Sequence, residues 1–285
     1  LWMGEVEGPE LADCAQCGVS RVGFIGVGNQ GGPIARRIGE AGWPLTLWAR
    51  GADALDPFDD VATRSDSPEA LATLCDLLCI CVVDDAGVTD LFDRILPAMR
   101  AGSLIAILST VHPDTCVSLA ERANARGIAL IDAPVSGGAG AAAAGTLAVM
   151  MGGSEVDCAR VLPVFRSFGE LIVRLGPVGA GQRAKLLNNT LLAAILDATQ
   201  DARETGVALG LDHAALDSML AASSGNSFGL QILRSFPSLA AFVNGERLLR
   251  KDVGLLRDLC TDAGAPMVPM IAGGMRFLDR VRQAG

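Results

Sequence analysis

Residues 21–31 read Arg21-Val-Gly-Phe-Ile-Gly26-Val-Gly28-Asn29-Gln30-Gly31. The apolar run 21–26 has the length and composition of a short buried strand, and 31–41 follows a helical pattern. Between them stands G-x-G-x-x-G. Placed after a strand and before a helix, its glycines allow a tight turn and let a pyrophosphate approach the helix N-terminus. The free N–H groups and the dipole there favour an anion. Gly26, Gly28, Asn29, Gln30 and Gly31 are therefore the first candidate cofactor-binding residues.

Working outward, a second strand at 45–48 ends in Ala49-Arg50-Gly51. Enzymes that use NAD place a carboxylate about here to bind the ribose 2′-hydroxyl. An arginine at this position suits a 2′-phosphate, so NADP is the expected cofactor and NAD the second candidate. The alternation then repeats, with strands expected at 76–83, 104–108, 128–132, 147–151 and 171–175 and helices at 88–99, 113–126 and 155–168. Strands apolar on both faces and separated by helices describe an α/β, doubly wound parallel sheet. Ligands sit at the carboxyl ends of such strands, which brings in Val83 to Asp85, Ser109 and Thr110, and 132–138. The hydroxyl of Ser136 and the backbone N–H groups of Gly137 and Gly138 could cradle a carboxylate. The same residues would also serve as a plain exit loop. The uncharged run 136–154 reads as loop, then strand.

Beyond 176 the character changes. Gly176, Gly179 and Gly181 end one strand and open a long helix expected at 184–209. Only helices follow, at 213–222, 229–243, 246–263 and 266–283, punctuated by Gly225, Pro237, Gly264 and Pro266. The expected domains are an extension at 1–19, a dinucleotide-binding Rossmann domain at 20–181, and an all-α substrate and dimerisation domain at 182–285. Lys185 and Asn189 stand one turn apart on one helix face, with Leu186, Leu187, Leu191 and Leu192 expected to take the apolar side. A lysine and an amide so placed suit proton transfer, although a surface lysine would look the same. The apolar spread along 184–209 exceeds what one domain face would cover, which points to a homodimer or homotetramer.

Composition narrows the function classes. The chain has 285 residues, 50% hydrophobic and 4% aromatic, with net charge −9. Mixed charge with an acidic balance argues against nucleic acid or an anionic membrane as partner. No basic, apolar leader pattern opens the sequence, and no run is long and apolar enough for a membrane span. Eight scattered cysteines suit a reducing, cytoplasmic setting; Cys75, Cys79 and Cys81 read as small buried hydrophobes. Cys14-x-x-Cys17 has no second ligand pair, so no metal site is expected. The chain lacks tyrosine and has two histidines, which excludes a Tyr–Lys acid pair and leaves histidine-based sites poorly supplied.

Four blocks in order, Gly23-Phe-Ile-Gly-Val-Gly-Asn-Gln-Gly31, Asp132-Ala-Pro-Val-Ser-Gly-Gly138, Gly176 through Lys185-Leu-Leu-Asn-Asn189, and Lys251-Asp252, resemble the β-hydroxyacid dehydrogenases over roughly 20–285. That family includes the 3-hydroxyisobutyrate dehydrogenases, the tartronate semialdehyde reductases and the glyoxylate/succinic semialdehyde reductases. The resemblance implies a Rossmann domain, an all-helical second domain and a cleft between them. It implies catalysis by Lys185 with Asn189 as companion amide, and a small carboxylate substrate held by Ser136, Gly137 and Gly138. It further implies cofactor contacts from Thr110, Lys251 and Arg50. The sequence departs from the family at Gln30, usually methionine or leucine, at Val83-Asp84-Asp85, usually apolar with a proline, and at Ala49 before Arg50. Imine-reducing relatives and catalytically silent relatives generally replace the lysine, so Lys185 favours hydroxy-acid oxidoreduction over either alternative.

Overall fold

The computed structural model describes residues 18–265 and 269–285; the Cys14–Cys17 pair and most of the 1–19 extension lie outside them. The chain divides into two compact units, one ending at Lys185 and the other spanning Leu186–Gly285.

Strands that are apolar on both faces need helices on both sides, and the first unit supplies them. Strand β1 (Val22–Ile25) leads through the glycine turn to α1 (Gly31–Glu40), then β2 (Leu45–Trp48), a 3-10 turn at Ala52–Phe58, and the short β3 (Thr63–Arg64). Next come α2 (Pro68–Leu74), β4 (Leu77–Ile80), α3 (Asp85–Ile95), β5 (Leu104–Ile107), α4 (Pro113–Asn124) and β6 (Ala129–Asp132). These six strands pair in the order β3-β2-β1-β4-β5-β6, all parallel. The order reverses direction beside β1, which is the switch point where dinucleotides bind in such sheets. Side-chain alternation makes two cores: Phe24, Leu47, Leu77, Cys79 and Ala106 pack on one face, and Ile25, Leu78, Ile80, Ile105 and Ile107 on the other.

The sheet then departs from the expected all-parallel pattern. After β7 (Val135–Ser136) and α5 (Gly138–Ala144), β8 (Leu147–Gly152) runs antiparallel to both β6 and β7. Following α6 (Glu155–Phe165), β9 (Gly169–Gly176) pairs parallel to β8. The reversal arises because only a short turn and seven helical residues separate β7 from β8, too few for a parallel crossover. The stretch after Ser136, expected as loop, is thus helical at α5. Two further differences from expectation are α2, where no helix is expected, and α3, which starts at Asp85 rather than 88. Each is fixed by its cap: the Ser67 hydroxyl accepts from the Ala70 N–H at 3.0 Å, and the Asp84 carboxylate accepts from the Gly87 N–H at 2.9 Å.

Helix α7 (Ala180–Ala208) begins in the first unit and continues into the second. Within the second unit it is followed by α8 (His213–Ala221), α9 (Phe228–Ser235), a 3-10 turn at Leu239–Phe242, α10 (Val243–Asp262) and α11 (Pro269–Ala284). The helix expected over 229–243 is therefore two pieces, broken around Pro237, whose ring cannot join a helix interior. The buried stripe of α7 is Leu186, Asn189, Thr190, Ala193, Leu196 and Asp197. Leu187 and Leu191, expected on the apolar side, face outward at 49% and 51% exposure, because the helical period carries them off the stripe defined by 186, 190 and 193. Ala193 and Ala194 on α7 and Gly273 and Gly274 on α11 let these two helices approach closely. Leu249, Val253, Phe277 and Leu278 complete this core. Among the described residues no helix is long and apolar enough to cross a membrane. No cluster of three or more His, Cys, Asp or Glu among them is placed to hold a metal.

Candidate active site

The turn after β1 shows what each fingerprint glycine does. A Cβ on Gly26, whose φ is +100°, would lie 2.0 Å from the Cys81 carbonyl oxygen, and one on Gly31 would lie 1.9 Å from the Gly26 carbonyl oxygen. Those two glycines exist to pack backbone on backbone. A Cβ on Gly28 would meet no described atom within 4 Å. Gly28 is exposed and, with Asn29, borders a cavity of about 550 Å³. Its bare backbone therefore faces open space, as a pyrophosphate would require. Gln30 occupies the N-cap of α1 without a side-chain cap bond, and the first turn holds no acidic residue. The positive end of this helix is left for an anion, so the residues present fit a dinucleotide.

The next strands deliver their residues to the same carboxyl edge. Arg50 follows β2, is exposed, and pairs with no described carboxylate. By contrast Arg36 is held by Asp60 at 3.0 Å, and Arg64 by Asp56 and Asp59 at 2.9 and 2.6 Å. After β4, Val83 is 62% exposed while Asp84 caps α3. Asp85, expected at the ligand crevice, instead accepts from the His112 N–H at 2.8 Å and the Thr115 hydroxyl at 2.7 Å. After β5, Ser109 is buried and accepts from the Val82 N–H at 2.8 Å, and Thr110 stands beside it, half-buried.

At the end of β6 the Asp132 carboxylate is fully buried. It accepts from the N–H groups of Gly179 at 2.6 Å and Gln182 at 2.7 Å, the opening of α7. Burial pushes its carboxyl up to about 6, although the two N–H bonds pull the other way. Ser136 is half-buried in β7, and Gly137 and Gly138 follow with φ of +133° and +73°, which turns the chain sharply into α5. Lys185 lies three residues beyond Gln182 on α7 and is half-buried.

Asn189, one turn further along α7, belongs to the second unit. Its amide Nδ2 donates to Asp252 Oδ2 at 2.6 Å, and Asn188 Nδ2 donates to Asn189 Oδ1 at 3.1 Å. The Lys251 ammonium stands 3.5 Å from Asp252 Oδ1. The structure thus gathers Gly26 to Gly31, Arg50, Val83, Asp84, Thr110 and Ser136 to Gly138 on one edge of the first unit, and joins Asn189 to Lys251 through Asp252 in the second. The sequence places Asp132 at the ligand crevice without a specific task, and gives none to Gln182 or Asp252. All three lie inside the quoted blocks, but the partners they meet across the fold are not written in the local sequence.

Residues 21–176 match the family described as the NAD-binding domain of 6-phosphogluconate dehydrogenase. Residues 179–285 match the family described as NAD-binding of NADP-dependent 3-hydroxyisobutyrate dehydrogenase. The chain is 33% identical to the human mitochondrial 3-hydroxyisobutyrate dehydrogenase, covering 92% of this chain and 82% of that one. The chain belongs to the β-hydroxyacid dehydrogenases. Another member, the NAD-dependent L-serine dehydrogenase of Pseudomonas aeruginosa, is 32% identical over 88% of this chain and 89% of its own. A solved structure of Mycobacterium tuberculosis 3-hydroxyisobutyrate dehydrogenase with L-serine superposes with a TM-score of 0.81 at 27% identity, covering 93% of each chain. As a β-hydroxyacid dehydrogenase the protein is a nicotinamide-dependent oxidoreductase acting on β-hydroxy acids.

Proposed function

We propose that this dehydrogenase prefers NADP and interconverts a small β-hydroxy carboxylate with its semialdehyde or keto acid, with Lys185 as the proton-transfer group. The observation that carries the reading is the fixed start of α7. Asp132 holds the Gly179 and Gln182 N–H groups at the carboxyl end of β6, and Lys185 follows three residues beyond Gln182 on the same helix. The nicotinamide, when bound, supplies or accepts the hydride. As a neutral amine Lys185 takes the substrate hydroxyl proton, and as an ammonium it returns one in the reverse direction. Asn189, one turn on, aligns that exchange without adding charge, its amide orientation set by Asp252. The Ser136 hydroxyl and the Gly137 and Gly138 N–H groups hold the carboxylate.

Three further points support the finer details. Arg50 is free of described carboxylates, and the family matched by 179–285 is described as NADP-dependent, whereas the Pseudomonas aeruginosa relative is NAD-dependent. The relatives are named for 3-hydroxyisobutyrate and L-serine, both small β-hydroxy carboxylates. Leu187 and Leu191, exposed one turn apart on α7, support a homodimer or larger assembly.

The test is turnover of a panel of β-hydroxy acids with each cofactor, in the wild type and in Lys185→Ala and Lys185→Arg. Both variants should lose roughly two to four orders of magnitude in kcat, since a guanidinium does not release its proton in this range. Cofactor affinity should hold. Near-wild-type turnover by either variant would remove Lys185 from the mechanism.

A further inference from the structure

Two side chains with no assigned role, Asp132 and Gln182, are completely buried where four chain segments converge in the first unit. The Asp132 carboxylate takes two backbone N–H groups of the α7 start, Gly179 on one oxygen and Gln182 on the other. The side-chain amide of Gln182 then reaches the β5 exit. Its Nε2 donates to the Ser109 carbonyl at 2.8 Å, and its Oε1 accepts from the Val111 N–H at 3.1 Å. Ser109 and Val111 flank Thr110, so one amide clamps both neighbours of that residue. The Ser109 hydroxyl carries the chain of bonds on to the Val82 N–H at the β4 exit.

The packing around the carboxylate leaves room for nothing but bare backbone. A Cβ on Gly181 would lie 2.1 Å from the Met150 carbonyl oxygen and 2.9 Å from Asp132 Oδ2. One on Gly152 would lie 2.3 Å from Asp132 Oδ1 and 2.9 Å from the Ala180 nitrogen. A helix start that needed only a cap could have taken a serine at the surface, as α2 and α6 do with Ser67 and Ser154. Here a carboxylate has been taken out of water instead, and burial opposes its ionisation. Such expense at a position with no packing gain is characteristic of groups retained for geometry.

We propose that Asp132 and Gln182 are positioning residues for hydride transfer, welding the α7 start and Lys185 to the Ser109–Val111 segment that presents Thr110. The proposal rests on the reading of Lys185 as proton-transfer group. Lys185 is less than one helical turn beyond Gln182, so any shift of that turn is passed to its side chain. A displacement of about 1 Å at a reacting group is enough for a hundredfold loss of rate.

The test is a double-mutant cycle at saturating cofactor, well below each variant's melting temperature, with kcat expressed per folded cofactor-binding site. Gln182→Met keeps length and bulk and removes both amide bonds. Its kcat should fall by roughly tenfold to a hundredfold, and KM for the cofactor should rise because Thr110 loses its clamp. Added to Lys185→Ala, the same substitution should leave kcat where Lys185→Ala put it, since residues acting as one unit are not additive. An equal loss on both backgrounds, or an unchanged kcat in Gln182→Met, would overturn the proposal. A near-wild-type Lys185→Ala would instead overturn the lysine reading on which it rests. If Gln182→Met does not fold, Asp132→Asn closes the same cycle; it keeps shape and one accepting oxygen, and its kcat loss must likewise vanish in the Lys185→Ala background.

Discussion

The fingerprint turn separates two effects that glycine substitutions usually confound. At Gly28 the backbone lies outside the left-handed region, and an added Cβ meets no described atom within 4 Å. Gly28→Ala should therefore leave the cofactor-free protein as stable as before, or more stable by about 0.4–1 kcal/mol through the unfolded chain. At Gly31 the same methyl group would stand 1.9 Å from the Gly26 carbonyl oxygen, well inside any ordinary contact. Backbone must move there, at a cost of about 1–3 kcal/mol, or several degrees in Tm. Cofactor binding should rank differently. The Gly28 methyl would fill the space a pyrophosphate needs and forfeit a charge-assisted hydrogen bond of about 1.5–3 kcal/mol, raising Kd by roughly tenfold to a hundredfold. Melting without cofactor, followed by fluorescence titration with NADPH, reads both quantities. A Gly28→Ala protein that binds NADPH as tightly as the wild type would refute the placement of the phosphates. A Gly31→Ala protein that melts like the wild type would refute the packing argument.

Arg50→Asp should lower kcat/KM with NADP by tenfold or more while sparing NAD, because a charge contact to a 2′-phosphate is replaced by repulsion; an unchanged ratio of the two cofactors in steady-state kinetics would speak against Arg50. Asp132 gives a signature in stability against pH. Its carboxyl is held up at about 6 from an ordinary 3.8, so the folded protein binds this proton more tightly than the unfolded chain does. The stabilisation, on the order of 3 kcal/mol, is complete below about pH 4, is lost as pH rises towards 6, and is absent above. Arg183 is the charged neighbour that opposes the shift, while Cys116 and Cys158 stay neutral because burial pushes both thiols up. Denaturant titrations between pH 4 and 7 should show this decline in the wild type and lack it in Asp132→Asn. Light scattering at micromolar concentration should give at least twice the monomer mass, and a Leu187→Glu/Leu191→Glu variant should shift it towards the monomer.

Most of the first unit was legible because its signals are local. A dense apolar run such as 77–83, bounded by Asp76 and Asp84, can hardly be anything but a buried parallel strand, and Pro113 after His112 marks a helix start directly. Ser67-Pro68-Glu69 is an equally clear start for α2, but a seven-residue helix that buries little beyond Leu71 and Ala72 shows almost no periodicity. Helix α5 was illegible for another reason: Gly138-Ala-Gly-Ala-Ala-Ala-Ala144 has no polar face to contrast with an apolar one. The sidedness of Leu187 and Leu191 depends on which stripe of α7 meets α11, and four leucines within seven residues do not encode that choice. Candidate residues at strand ends could be named because topology puts them there. The Asp132–Gln182 clamp could not, since its bonds join residues between 47 and 73 positions apart, and no local pattern announces such a pair.

The cysteines of the β4 region give the molecule an internal clock. Cys75 is 1% exposed and Cys79 fully enclosed, whereas Cys81 is only partly covered, and burial pushes the Cys75 thiol up to about 12 and the Cys79 thiol up as well. Alkylating reagents attack the thiolate, so the Cys75 and Cys79 sulfurs stay silent while the central sheet is closed. Each labelling event at Cys75 or Cys79 then marks one excursion in which that sheet has come apart. Peptide mapping of alkylation over time would therefore measure the opening rate of the cofactor-binding sheet with the unmodified protein, and repeating it with NADPH would show how far a bound cofactor slows the clock.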